Sequence, residues 1–242
     1  MRISKRVGVF PLFTIFTGAL GYAARYWLLS MKDVSTGLLP QNHFGGTATL
    51  ILFAVTIAVC FLAVRNAPRV KDYGKLFPPS LIAAIGGIVG ALGLGISAFA
   101  VKGVGVLAYG LPIFGILSTV ALAYAAWCRF TGRKLTGLIY GVAVVFFMLR
   151  LVAWCRVWGT EPQLHMYLFE LFASLFLLMA AYYRAEMPGS TKHYRHYAFF
   201  SQMALFCCMV CLTGSEWMFY LSAGIWMASD FCALPAYTGR YE

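Results

Sequence analysis

RLVAWCRVWGTEPQLHMYLFELFAS, Arg150 to Ser174, holds two arginines, two glutamates, a histidine and two tryptophans. The chain just before it reads VAVVFFML (142–149), and the chain just after reads LFLLMAA (175–181). A charged stretch between two such runs fits a polar hairpin joining two membrane-crossing helices. Composition agrees: 61% of the 242 residues are hydrophobic, 17% aromatic and only 11% charged. Mean hydropathy is +0.78. Soluble domains carry about 25% charged residues, so the expected solvent is a lipid bilayer.

Outward from the hairpin, apolar runs near the ~20 residues that a crossing needs recur at 8–29, 46–65, 79–100, 108–128, 136–157, 163–183, 196–213 and 216–233. The expected fold is all-α: a polytopic bundle of eight transmembrane helices forming a single integral membrane domain over 1–242. Only Thr213-Gly214-Ser215 separates the last two runs, and a tight turn at the glycine divides them. MRISKR begins a run that continues through Leu29, longer than the apolar region of a signal peptide. It reads as an uncleaved first helix.

Basic residues set the orientation. With the N-terminus inside, one side holds Arg2, Lys5, Arg6, Arg65, Arg69, Lys71, Lys75, Arg129, Arg133, Lys134, Arg184, Lys192, Arg195 and Arg240; the other holds Arg25, Lys32, Lys102, Arg150 and Arg156. Excess lysine and arginine marks the cytoplasmic side, so both termini are expected in the cytoplasm. The formal net charge of +11 lies in short loops between apolar helices and argues against nucleic acid as a partner.

Seven cysteines, all within or at the ends of spans, do not read as a disulfide framework. Cys207 and Cys211 share a helix face, but zinc would want further ligands nearby, and no metal site is assigned. His193 and His196 stand beside Lys192 and Arg195 in KHYRHY, an interfacial basic patch suited to anionic lipid. GGIVGALGLG, from Gly86 to Gly95, suits close helix packing rather than nucleotide binding, because it lies within a span.

Charges inside spans are costly and tend to face the bundle interior or water. Arg150, Trp154 and Trp158 fall on one face of the fifth span. Thr160 and Gln163 fit a capping box with Pro162 in the first turn, and Gln163, Tyr167, Glu170 and Ser174 then form a polar stripe on the sixth. Arg150 and Glu170 both lie about 10 Å below the outer surface at 1.5 Å per residue, so these neighbours pair if their helix faces meet. Thr14, Gly18, Gly21 and Arg25, with Tyr22 adjacent, line one face of the first span. Asp33, Asn42, His43, Glu161, His165, Glu216 and Trp217 gather near the same boundary. Asp230 lies near the other boundary, where Arg240 or a basic loop would neutralise it.

Two readings follow. In one, Arg150–Glu170 is a structural ion pair, Arg25 and Arg156 snorkel to headgroups, and the protein is a non-catalytic scaffold or subunit with a protein partner. In the other, the outer groups bind a small polar or anionic ligand or a lipid headgroup. Arg25 and Arg150 would hold the anion, Glu170 would orient it or exchange a proton, and Trp154 and Tyr167 would form walls. His43, His165 and Glu216 would stand around them. A membrane-interface enzyme is a third possibility, without an HExxH or comparable motif; no catalytic residues are assigned. No mid-span lysine suits retinal, and nothing suggests haem or flavin, so no cofactor is assigned.

GLLPQNHFGG (37–46) and EPQLHMYLFELFA (161–173) resemble segments of a group of uncharacterised multi-pass membrane proteins from bacteria. That resemblance implies a bacterial inner-membrane location and no particular activity. The function expected is binding, sensing or transport of a ligand at the outer leaflet.

Overall fold

The computed structural model describes residues 9–32, 43–65, 73–100, 106–133, 135–158 and 167–232. Its helices are α1 (Val9–Ser30), α2 (Phe44–Arg65), the single turn α3 (Tyr73–Leu76), α4 (Leu81–Ala100), α5 (Val106–Thr131), α6 (Gly137–Trp158), α7 (Leu168–Glu186), α8 (Tyr194–Cys211) and α9 (Trp217–Cys232), with a 3-10 turn at Thr191–His193 before α8. No strand occurs among the described residues. The eight long helices fall on the eight apolar runs. Five of them are long and apolar enough to cross a membrane: the segments Phe44–Arg65, Leu81–Ala100, Tyr109–Thr131, Gly137–Arg156 and Leu168–Glu186.

Helices α4 to α9 form a ring, each packed on the next in sequence and α4 closing on α9; α1 and α2 pack on the outside of α8. Between apolar helices in lipid, association rests on close packing and interhelical hydrogen bonds rather than on water exclusion. The α4 glycines supply the first. A Cβ on Gly90 would stand 2.7 Å from Trp226 Cβ and 2.9 Å from the Ser222 carbonyl, and Gly86 faces Ser229. Gly86 and Gly90 therefore let α4 approach the backbone of α9, while Gly87 meets Ala126 of α5. The glycine run is a packing surface.

The α1 face of Thr14, Gly18, Gly21 and Arg25 is a seam against α8. Thr14 Oγ1 donates to Gln202 Oε1 at 2.5 Å, and a Cβ on Gly18 or Gly21 would run into Met209 or Val210. At the top of the seam the Arg25 guanidinium reaches Cys211 Sγ at 3.5 Å. Helix α8 is enclosed on several sides, with residues from Tyr197 to Cys211 buried along its length. Its division from α9 at residues 212–216 agrees with the turn expected at Gly214, whose N–H donates to the Cys211 carbonyl at 3.0 Å. Inside the ring, Phe147 stacks on Trp226 at 6.0 Å. Gly132 has φ 70 and ends α5, with Arg133 N–H donating to the Cys128 carbonyl at 3.1 Å, a glycine-dependent helix stop.

Long helices consecutive in sequence run antiparallel, while α1 and α8 run parallel, so the bundle has two ends. Arg65, Arg129, Arg133, Arg184, Lys192 and Arg195 lie at one, called the basic end below; Arg25, Lys32, Arg150 and Arg156 lie toward the other.

Candidate functional site

At the end opposite the basic one, four charged side chains form a single layer. Arg25 Nη2 lies 2.9 Å from Glu170 Oε1, joining α1 to α7. Arg150 Nη2 lies 2.5 Å from Glu216 Oε2, joining α6 to the turn before α9. The Glu216 carbonyl accepts the N–H groups of Phe219 and Tyr220, so the first turn of α9 holds this residue in place. Phe219 also lies under the Arg150 guanidinium, 3.5 Å from ring centroid to Cζ, a favourable cation–π distance.

The two pairs belong to one cluster. Tyr220 is within electrostatic reach of Glu170 and of Arg150, and Glu170 is within reach of Glu216. Gly214 packs close against this carboxylate: a Cβ there would stand 3.0 Å from Glu170 Oε1. The cluster is formally neutral, with two guanidinium groups and two carboxylates. Its burial is uneven. The Arg150 side chain is 1% exposed and that of Arg25 8%, whereas Glu170 retains 13% and Glu216 17%. The carboxylates thus form the more open side of the layer. Arg150 Nε and Nη1 are buried with no hydrogen-bond partner among the described residues.

This geometry corrects the expected Arg150–Glu170 pair. The two residues do lie in one layer, but each has another partner. Depth follows from position in the helix; the direction a side chain faces depends on the rotation of the whole helix. Arg150 faces into the ring toward α9, and Glu170 faces out toward α1. Arg25 does not snorkel: it is 6% exposed and held between Glu170 and Cys211. Arg156 is exposed, as a snorkelling residue would be.

The remaining expected site residues divide. Trp154 lies one helical turn beyond Arg150 and is half-buried, and half-buried Tyr167 precedes the first turn of α7. His43 is not in the cluster. Its Nδ1 accepts the Gly45 N–H at 3.1 Å and its ring meets the Trp27 ring edge-on at 5.1 Å, so it caps α2. Trp217 is exposed at the start of α9. His165, Glu161, Asp33, Asn42 and the proposed cap at 160–163 lie outside the described residues. Tyr220 was not named from the sequence, and Cys211 and Gly214 were named there only as a helix-face cysteine and a turn, not as members of this cluster. All three sit within six residues of Glu216, so the turn separating the last two spans was the available signal.

A second charged layer occupies the basic end. Asp230 Oδ2 accepts from Arg184 Nε at 3.0 Å and from the Tyr197 hydroxyl at 2.6 Å; Oδ1 faces Arg129 Nε at 4.0 Å. Arg184 also donates to the Tyr73 hydroxyl at 3.0 Å and packs over Phe77 at 3.7 Å. Helix residues therefore neutralise Asp230, Arg240 lies outside the described residues, and two arginines assigned to the cytoplasmic side are buried in the bundle. Beside Asp230, Arg129 and Tyr140 is a recess of about 10 Å³, room for one water molecule. Among the described residues no group of three or more His, Cys, Asp or Glu side chains is placed to hold a metal.

Comparison with protein-family models, curated proteins and solved structures finds no match to this chain.

Proposed function

We propose that the protein is an eight-span integral membrane protein of a bacterial inner membrane. Its basic end and both termini face the cytoplasm, and the outer cluster binds a small polar or anionic ligand or a lipid headgroup, to sense or move it. Five helices suited to crossing and the unequal distribution of basic residues support the placement. The observation that carries the binding reading is Arg150: a buried guanidinium with two unpartnered nitrogens, behind a carboxylate, Glu216, that is 17% exposed. A buried donor without an acceptor costs about 1–3 kcal/mol. A carboxylate or phosphate entering past Glu216 would accept from those donors, and the Glu170–Arg25 pair would hold the opposite wall.

The test is thermal denaturation of the purified protein titrated with acetate, inorganic phosphate and a short-chain phospholipid. At least one should raise the midpoint saturably, and Glu216→Gln should shift that response more than it shifts the midpoint of the unliganded protein. No response to any probe, with stability lost in the variant, would overturn the binding reading.

The scaffold reading keeps one specific support. All four described carboxylates already have a basic neighbour within 4.0 Å. On that reading Arg25–Glu170 and Arg150–Glu216 only hold the helices together, and the partner is another membrane protein.

A further inference from the structure

An aromatic column descends one side of the bundle toward the basic end. Phe53 of α2 stacks on Phe172 at 5.2 Å, Phe172 stacks on Phe176 at 5.9 Å, and Phe176 meets Phe200 of α8 at 6.0 Å. Phe200 then stacks on Tyr183 at 5.5 Å with only 12° between the rings. The Tyr183 ring lies 5.1 Å from His196 and 5.8 Å from His193. Phe172, Phe176, Tyr183 and Phe200 are all half-buried, so one edge of the column is open along α7 and α8.

The length of the column is informative. From Phe172 to Tyr183 is 11 residues of helix, about 16 Å at 1.5 Å per residue. One leaflet is half of a hydrocarbon core about 30 Å thick. The foot of the column is basic: Lys192 is exposed and Arg195 half-exposed, with the exposed His196 and half-exposed His193 imidazoles beside them. Among the described residues one carboxylate, Glu186, lies there, but the Tyr182 hydroxyl donates to it at 2.6 Å and His193 Nε2 stands 3.7 Å away. A leaflet-long apolar strip ending in a cationic patch has the shape and charge pattern of one anionic phospholipid.

We infer that the α7–α8 face binds an anionic phospholipid of the cytoplasmic leaflet, its phosphate against Lys192, Arg195 and His196 and one acyl chain along Phe200, Phe176 and Phe172. The site is separate from the outer cluster and rests only on the membrane placement proposed above. Ring edges along the open side of the column hold an extended chain by dispersion contacts, while basic side chains at the membrane surface select anionic headgroups.

The experiment uses the full chain in phosphatidylcholine nanodiscs carrying a minor fraction of phosphatidylglycerol with a mid-chain photoreactive group. Cross-linked peptides should concentrate on 172–183 and 196–200, with yield about threefold or more above that of a phosphatidylcholine probe. Lys192→Gln with Arg195→Gln should remove that preference, and Cys155→Ser, at the opposite end of the bundle, should leave it unchanged. Equal yields for the two headgroups, or cross-links spread evenly over the lipid-facing sides of α4 and α5, would overturn the assignment. So would complete competition by soluble glycerol phosphate, which would make the patch a site for a free phosphate compound. Failure here leaves the outer ligand titration untouched, and a negative titration there leaves this result standing.

Discussion

Arg184 and Asp230 meet at 3.0 Å across 46 positions of sequence, and at that contact six helices converge on the basic end of the bundle. Tyr73 of α3, Tyr140 of α6 and Tyr197 of α8 bring aromatic rings to the same guanidinium, and Arg129 of α5 stands on the other carboxylate oxygen. Asp230→Ala would leave two buried arginines without their carboxylate. The expected loss is about 3–5 kcal/mol, read as a large drop in the unfolding midpoint of the purified protein. Arg184→Met combined with Asp230→Leu should lose less than Asp230→Ala, since it leaves neither member of the pair charged and alone.

Partner assignment in the outer layer is open to a double-mutant cycle. Arg150→Met and Glu216→Leu should be non-additive in unfolding free energy by about 0.5–3 kcal/mol, as residues in contact are. Arg150→Met and Glu170→Leu should show the smaller coupling. A larger coupling for the second pair would restore the partner that depth alone suggested.

Close packing at the α4–α9 contact predicts a sharp contrast among glycines. Gly90→Ala places a methyl 2.7 Å from Trp226 Cβ and 2.9 Å from a backbone carbonyl, and overpacking of this kind costs about 1–3 kcal/mol. Gly141 is also helical, but a Cβ there meets nothing within 4 Å. Gly141→Ala should be neutral or stabilising, by up to about 1 kcal/mol from reduced freedom of the unfolded chain. Comparing unfolding midpoints of the two variants checks the packing directly.

Thiol labelling tests the orientation. Cys155 is exposed near the end of α6, whereas Cys60, Cys128, Cys207, Cys208 and Cys211 are buried. A membrane-impermeant maleimide added to intact cells should label Cys155, and Cys155→Ser should abolish that signal. Labelling of Cys155 only from the cytoplasmic side would invert the topology.

Much of the fold was legible because the bilayer imposes length and composition on every crossing segment. The eight runs, the turn at Gly214 and the packing use of Gly86 and Gly90 required only local sequence. The outer layer was legible in part: Arg25, Arg150, Glu170 and Glu216 were named from their depth and polarity. His43 was drawn into the same group by depth alone, and its engagement with Gly45 and Trp27 was invisible until α1 and α2 were placed.

The sequence by itself determined which residues are helical and how deep each charge lies, because rise per residue and apolar length are local properties. Only the tertiary structure decided which charges meet. Pairing depends on the rotation of each helix and on contacts such as α6 with α9 and α1 with α7, which no single segment encodes. Arg150, buried among apolar helices, was always going to need an anion; that the anion is Glu216, and that Glu170 belongs to Arg25, follows from the closing of the ring.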